Sequence, residues 1–220
     1  MSRYLGRIMA TAATAALFVT AFVSPAAAEP ATKVFYPAGA AATRYSGLAF
    51  DTCTAPSLAA ITAWGASPYR AVGVYIGGVN RTCSQPQLTA SWVAAVSNLR
   101  WRLLPVYKGL QPSCGGKPTD QKIVPSQAAS QGVAAADDAV AKAKALGMRP
   151  GSALYNDIEN YSRTDTACRT AVLTYLSAWT KELHRLGYVS GVYANLSSGA
   201  LDLSDTYTST VYARPDALWV

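Results

Sequence analysis

Ser152-Ala153-Leu154-Tyr155-Asn156-Asp157-Ile158-Glu159 is a short apolar run that ends in two acids. It follows a long helical pattern, Ser126 to Leu146, that stops at Gly147, and it precedes another, Cys168 to Leu186, that stops at Gly187; both glycines sit where a helix C-cap belongs. Read as a strand, the run places residues two apart on one face. Asp157 and Glu159 then project to the same side, with Tyr155 one step deeper.

The same alternation extends in both directions. Strand-like runs occur at Gly47 to Asp51, Ala71 to Ile76, Arg102 to Tyr107, Ser152 to Asp157, Tyr188 to Tyr193 and Ala217 to Val220. Helical patterns lie near Ser57 to Trp64, Leu88 to Asn98 and the two stretches above, with a weaker connection at Leu196 to Leu203. Such alternation indicates βαβ units and a parallel sheet covered by helices. Strands recur about every 30 residues, so eight would fill a barrel of about 250 residues. The expected fold is therefore α/β, a (β/α)8 TIM-barrel type with about six of its eight strands in this chain. The final run would leave an open parallel edge, and the sequence is expected to be truncated at its C-terminus.

Before the first strand, Arg3 and Arg7 precede an apolar run from Ile8 to Val23, then Ala26-Ala27-Ala28 before Glu29. This order marks residues 1–28 as a cleavable signal peptide, because the run is shorter and less apolar than the roughly 20 residues a membrane span requires. Residues 29–45, rich in Ala, Pro and Thr, form a lead-in, and 46–220 form the barrel domain. The expected product is a secreted, extracellular protein with no membrane segment after cleavage. The 19 Lys and Arg outnumber the 12 Asp and Glu, giving a net charge of +7. That surplus suits anionic polymers, but it is scattered from Lys33 to Arg214. Without a basic stripe or a recognisable reading module, nucleic-acid binding is excluded as the main role.

Cys53, Cys83, Cys114 and Cys168 are even in number in an exported chain, which favours two disulfides over metal ligation. With one His and no C-x-x-C, no metal or cofactor is expected. Four cysteines allow three connectivities. Each follows an expected strand at the same end of the sheet, so Cys53 with Cys83 and Cys114 with Cys168, which tie neighbouring loops, are preferred.

Asp51 closes the first strand, Leu48-Ala49-Phe50-Asp51. Three acids, Asp51, Asp157 and Glu159, thus gather at the end where barrel enzymes keep their active sites. Close carboxylates cannot all ionise easily, so one holds a proton beside an ionised partner. Glycosidic-bond cleavage uses such a pair. Asp-x-Glu alone is a weak motif, since a strand-end acid also caps helices or sits solvated. Other features read as structural. His184 lies near a helix end where a cation suits the dipole; Asp138 and Lys142 have the spacing of a solvated ion pair, with Asp137 beside them; Gly77-Gly78 is a tight turn without a phosphate-loop pattern. Trp92, Trp101 and Trp179 are expected to pack helices on the sheet, whereas Trp64 and Trp219 are either core or sugar-stacking platforms.

Five segments carry a resemblance: Ala49-Phe50-Asp51-Thr52-Cys53-Thr54-Ala55-Pro56, Tyr75-Ile76-Gly77-Gly78, Leu104-Pro105-Val106-Tyr107, Tyr155-Asn156-Asp157-Ile158-Glu159 and Gly187-Tyr188-Val189-Ser190-Gly191-Val192-Tyr193. The chain resembles the bacterial secreted glycoside-hydrolase-like domain family of unknown function. That barrel family is related to the family-25 glycoside hydrolases, which include peptidoglycan-cleaving lysozymes. The resemblance implies Glu159 as general acid, Asp157 as the group stabilising developing positive charge or a substrate-assisted intermediate, and Asp51 as a positioning or pKa-raising partner. It also implies that Tyr75, Tyr107 and Tyr193, with Tyr155 beneath, line a sugar cleft. The family's later strands, with further cleft residues, fall beyond Val220. The expected partner is an extracellular cell-wall polysaccharide such as peptidoglycan. The alternatives are a non-catalytic glycan-binding domain and a cell-envelope interaction protein.

Overall fold

In the computed structural model, which describes residues 45–220, helices and strands alternate where the sequence pattern puts them. The expected signal peptide and all but the last residue of the lead-in lie outside the described residues. In chain order the elements are β1 (Leu48–Thr52), α1 (Leu58–Trp64), β2 (Tyr69–Gly77), α2 (Ala90–Asn98), β3 (Arg102–Tyr107), α3 (Ala128–Ala145), β4 (Ala153–Ile158), α4 (Thr166–Arg185), β5 (Val189–Ala194), α5 (Leu201–Asp205) and β6 (Ala217–Trp219). A 3₁₀ turn, Pro125–Gln127, leads into α3, and a π-helical turn, Leu196–Ala200, leads into α5. Ser57, Thr89 and Asp165 cap α1, α2 and α4 by accepting from the amides of Ala60, Trp92 and Cys168, which satisfies donors that have no partner within the helix. Gly147 and Gly187 follow α3 and α4 with φ of 77° and 78°.

The six strands pair in parallel and in sequential order, β1-β2-β3-β4-β5-β6. Their outer face, including Val72, Val74, Leu103, Leu154 and Val192, packs under the helices against Val140, Leu176, Trp179 and Leu183. Their inner face forms a second cluster from Ala71, Leu104, Ala153 and Tyr155, joined by Ala49, Val189, Ala217 and Trp219. Burial on both faces is why these strands read as nearly continuous apolar runs.

The sheet is curled into a half-barrel. A Cβ placed on Gly73 of β2 would lie 2.8 Å from the ring of Trp219 on β6, four strands away in sheet order. Only a residue without a side chain leaves room there for the ring to cross the interior. The fold is thus an α/β half-barrel of six parallel strands and five α-helices.

Both preferred disulfides are present, Cys53–Cys83 and Cys114–Cys168. Trp92, Trp101 and Trp179 are buried in the helix-side core, and Trp64 lies outside the sheet against Phe50 and Tyr69. Among the described residues no helix is long and apolar enough to cross a membrane.

Candidate functional site

Strand alternation builds the site. Ala71, Leu104 and Ala153 face the interior; stepping by two from them reaches Tyr75 on β2, Lys108 just past β3, and Asp157 on β4. Tyr193 of β5 belongs to the same inner cluster. Asp51 of β1 pairs with Gly73, and its Oδ2 accepts a hydrogen bond from the Tyr75 hydroxyl at 3.3 Å. An open cleft of about 400 Å³ lies at this end of the strands, lined by Tyr75, Asp157, Glu159, Tyr193, Asn195 and Leu196, among others.

Lys108 links the acids. Its Nζ lies 3.1 Å from Asp157 Oδ2 and in direct contact with Glu159 Oε1. The Lys108 side chain is only 12 % exposed, whereas that of Glu159 is 41 % exposed and opens to the cleft. Burial pushes the Asp157 carboxyl up to about 6; Lys108 pulls it down, and Glu159 and Asp51 add to the rise. Burial works against the Lys108 ammonium, but Asp157 and Glu159 outweigh it and hold the group above its ordinary value. Tyr75 and Tyr193 are both raised, chiefly by burial and then by the neighbouring carboxylates, so both remain neutral hydrogen-bonding phenols.

Of the expected cleft tyrosines, Tyr75 and Tyr193 line it. Tyr155 faces inward but packs a layer below, edge-on to Trp219 at 6.3 Å. Tyr107 is on the other side of the sheet. Its ring stacks on Trp179 and its hydroxyl donates to Asp138 at 2.9 Å. The reason is parity: Leu104 faces the interior, so Tyr107, three residues later, faces the helices. Trp219 stacks on Tyr193 with ring centroids 4.5 Å apart, which makes it part of the inner aromatic wall.

Lys108 was not expected from the sequence, although continuing the Leu104, Val106 alternation one residue past β3 points to it. Gln111 carried no such signal. It is fully buried, donates to the Asp157 carbonyl at 2.7 Å and accepts from the Glu159 amide at 2.9 Å. His184 does more than complement a helix end, because its Nε2 lies 2.7 Å from Asp216 Oδ2. Asp138 and Lys142 form the solvated pair expected, at 3.8 Å. Gly77-Gly78 is a turn at the end of β2, with Gly78 at φ +104°. Among the described residues no group of three or more His, Cys, Asp or Glu side chains is arranged to hold a metal ion.

The curled parallel sheet with acids gathered at the carboxyl ends of its strands defines an α/β half-barrel protein. Residues 62–220 match the Rv2525c-like, glycoside hydrolase-like domain family, and the chain belongs to it. Among solved structures it is similar to an uncharacterised protein of B. stearothermophilus, with a TM-score of 0.51 and 20 % identity over 74 % of this chain and 70 % of that one. It is also similar to the Tat-secreted protein Rv2525c of Mycobacterium tuberculosis in complex with HEPES, with a TM-score of 0.51 and 17 % identity over 66 % of this chain and 68 % of that one. The L-tartrate complex of the same protein gives the same TM-score and identity. At these identities the likeness concerns the fold. No curated protein sequence matches the chain.

Proposed function

We propose that the protein is a secreted glycoside hydrolase that cleaves a cell-wall polysaccharide such as peptidoglycan by acid/base chemistry, on a scaffold of the (β/α)8 type. One observation carries this reading: Asp157 and Glu159 stand side by side at an open, aromatic-lined cleft, with one carboxyl deeply buried and the other open to the cleft. The environments are unequal: burial raises Asp157, which is ionised above about pH 6 and can then face positive charge, whereas the Glu159 side chain opens to the cleft, where a glycosidic oxygen would lie. Glu159, facing the cleft, serves as general acid; Asp157 stabilises positive charge at the sugar or a substrate-assisted intermediate; Asp51 positions the group through Tyr75. Tyr75 and Tyr193, which line the cleft, offer aromatic surface against which a sugar ring packs.

The two carboxylates share one ammonium. That sharing brings one oxygen of each acid onto the same cation; a separation of about 5 to 5.5 Å between the carboxyl groups would mark a retaining pair and roughly 6.5 to 9.5 Å an inverting one. Extracellular action is supported by the signal-peptide pattern, by two disulfides of the kind that persist in oxidising compartments, and by the Tat-secreted description of Rv2525c.

The test is release of reducing ends from purified cell wall by the mature protein and by Glu159→Gln. The variant is expected to lose about 10²- to 10⁴-fold in rate, the range for general acid catalysis. Equal activity in both, or none in either, sinks the proposal. A second reading, a non-catalytic glycan-binding domain, draws on the Lys108 contact, which offsets part of the cleft's negative charge. Equal binding of both proteins to insoluble wall, without hydrolysis, favours it.

A further inference from the structure

The turn that follows β3 grips the Asp157-Ile158-Glu159 segment at two levels. Backbone pairing between β3 and β4 is confined to Val106↔Tyr155 and Tyr107↔Asn156. Beyond Asn156 the side-chain amide of Gln111 takes the place of a strand partner, donating to the Asp157 carbonyl and accepting from the Glu159 amide. Three residues earlier in the same turn, the Lys108 ammonium reaches both carboxylates.

The Lys108 backbone is fixed in turn. Its amide donates to the Gly77 carbonyl at 3.0 Å and its carbonyl accepts from the Asn80 amide at 3.1 Å. A Cβ on Gly78 would lie 2.0 Å from the Lys108 carbonyl oxygen, so this approach requires glycine. The buried Asn80 side chain donates to the carbonyls of Gly109 at 2.8 Å and Gln121 at 2.9 Å, which holds the rest of the turn. An ammonium removed from water in this way is costly unless anions compensate it, and here two carboxylates do.

We infer that Lys108 is a positioning residue for the Asp157 and Glu159 pair: its ammonium, held in place by Gly78 and Asn80, draws the two carboxylates together at the cleft and sets the charge they carry jointly. Without it, two adjacent carboxylates in a partly buried site would repel and retain a proton to higher pH. The lysine thereby lets one acid be ionised while the other is free to exchange a proton. The catalytic part of this assignment rests on the glycoside-hydrolase reading, whereas the electrostatic part does not.

Carbon-13 carboxyl NMR titrations of the mature protein, with Asp157 assigned through Asp157→Asn, test the inference in wild type, Lys108→Met, Lys108→Gln and Lys108→Arg. The pH profile of kcat/KM on cell wall is measured on the same samples. In Lys108→Met and Lys108→Gln the Asp157 midpoint is expected to rise by at least about one pH unit, and the limbs of the rate profile governed by the pair to move the same way. Lys108→Arg, which keeps the charge, is expected to return both toward wild type. Two neutral variants guard against one failing to fold. Midpoints unchanged in the neutral variants, with only the melting temperature lowered, would overturn the inference and leave Lys108 a packing residue. A shifted midpoint in a protein that hydrolyses no wall, wild type included, upholds the positioning role and discards the hydrolase reading.

Discussion

Asp157 sits 5 % exposed at the end of β4, and burial is the main cause of its rise to about 6. An unfolded Asp titrates near 3.9. Because the folded value is the higher, the folded state binds the proton more tightly. The stabilisation from this group is therefore complete below about pH 4 and is lost as pH rises through about 6. At neutral pH the ionised carboxylate costs the fold up to about 3 kcal/mol. Asp157→Asn removes that cost and keeps an oxygen acceptor for Lys108. It is expected to melt above wild type at pH 8, to melt level with it at pH 4 and, on the proposed hydrolase reading, to lose hydrolysis. Thermal melts at the two pH values decide the matter, and a variant less stable at both would show that the carboxylate is held for structure. A gain in stability with a loss of activity is the trade expected of a residue placed for chemistry.

Strand β6 is only three residues long, yet it carries Trp219 into the inner wall. Asp216, just before it, donates its amide to the Ser190 carbonyl at 2.8 Å, and its Oδ2 accepts from the Ser190 amide at 2.8 Å and contacts His184 at the end of α4. The Asp216 hydrogen bond holds His184 above its ordinary value against the opposing effect of burial. Stabilisation from the protonated pair is thus complete below about pH 6.5 and is lost as pH rises through the higher folded value. His184 is the sole histidine, so a proton NMR titration reads it directly. Its midpoint is expected above about 6.5 in wild type and lower in Asp216→Asn; a wild-type midpoint at or below the ordinary value contradicts the latch. The sequence revealed β6 as an apolar run but not its latch, because His184 and Asp216 meet only after the chain turns from α4 through β5 and α5. The main strands and helices were legible because strands buried on both faces and helices closed by glycine leave strong local patterns. Leu196 to Leu203 read weakly because its first turn is π-helical and breaks the 3.6-residue period. Asp51, Asp157 and Glu159 were legible as acids at strand ends. Tyr107, for which the resemblance implies a place in the cleft, faces the helices instead, because its parity along β3 is opposite to that of Leu104. The role of Lys108 leaves no local signal, because a charge between two acids is a relation across strands.

Both disulfides tie segments beyond the carboxyl ends of the strands, the end that carries the acids. Cys53–Cys83 joins the segment after β1 to the loop before α2, and Cys114–Cys168 joins the loop after β3 to the first turn of α4. The second also bounds the turn holding Lys108 and Gln111, whose far side is tied to the acid segment by the Gly116 amide donating to the Asn160 carbonyl at 3.0 Å. In the chain-entropy account a crosslink stabilises by restricting the unfolded chain, and loop length enters only as a logarithm. Loops of 30 and 54 residues then correspond to about 4 kcal/mol each, differing by about 0.5 kcal/mol. Replacing either pair by serine is expected to lower the urea unfolding free energy of the protein by nearly the same amount. The two losses should part company at the site. Cys114→Ser/Cys168→Ser frees one end of the turn that holds Lys108 and Gln111 and, on the proposed hydrolase reading, is expected to reduce wall hydrolysis well below the level of Cys53→Ser/Cys83→Ser under conditions where both variants are fully folded. If the stability losses differ by several kcal/mol, native packing around one bridge, rather than chain entropy, sets its worth. If the activities fall together, the turn after β3 keeps its shape without the bridge, held by Asn80, Gln111 and the Lys108 contacts alone.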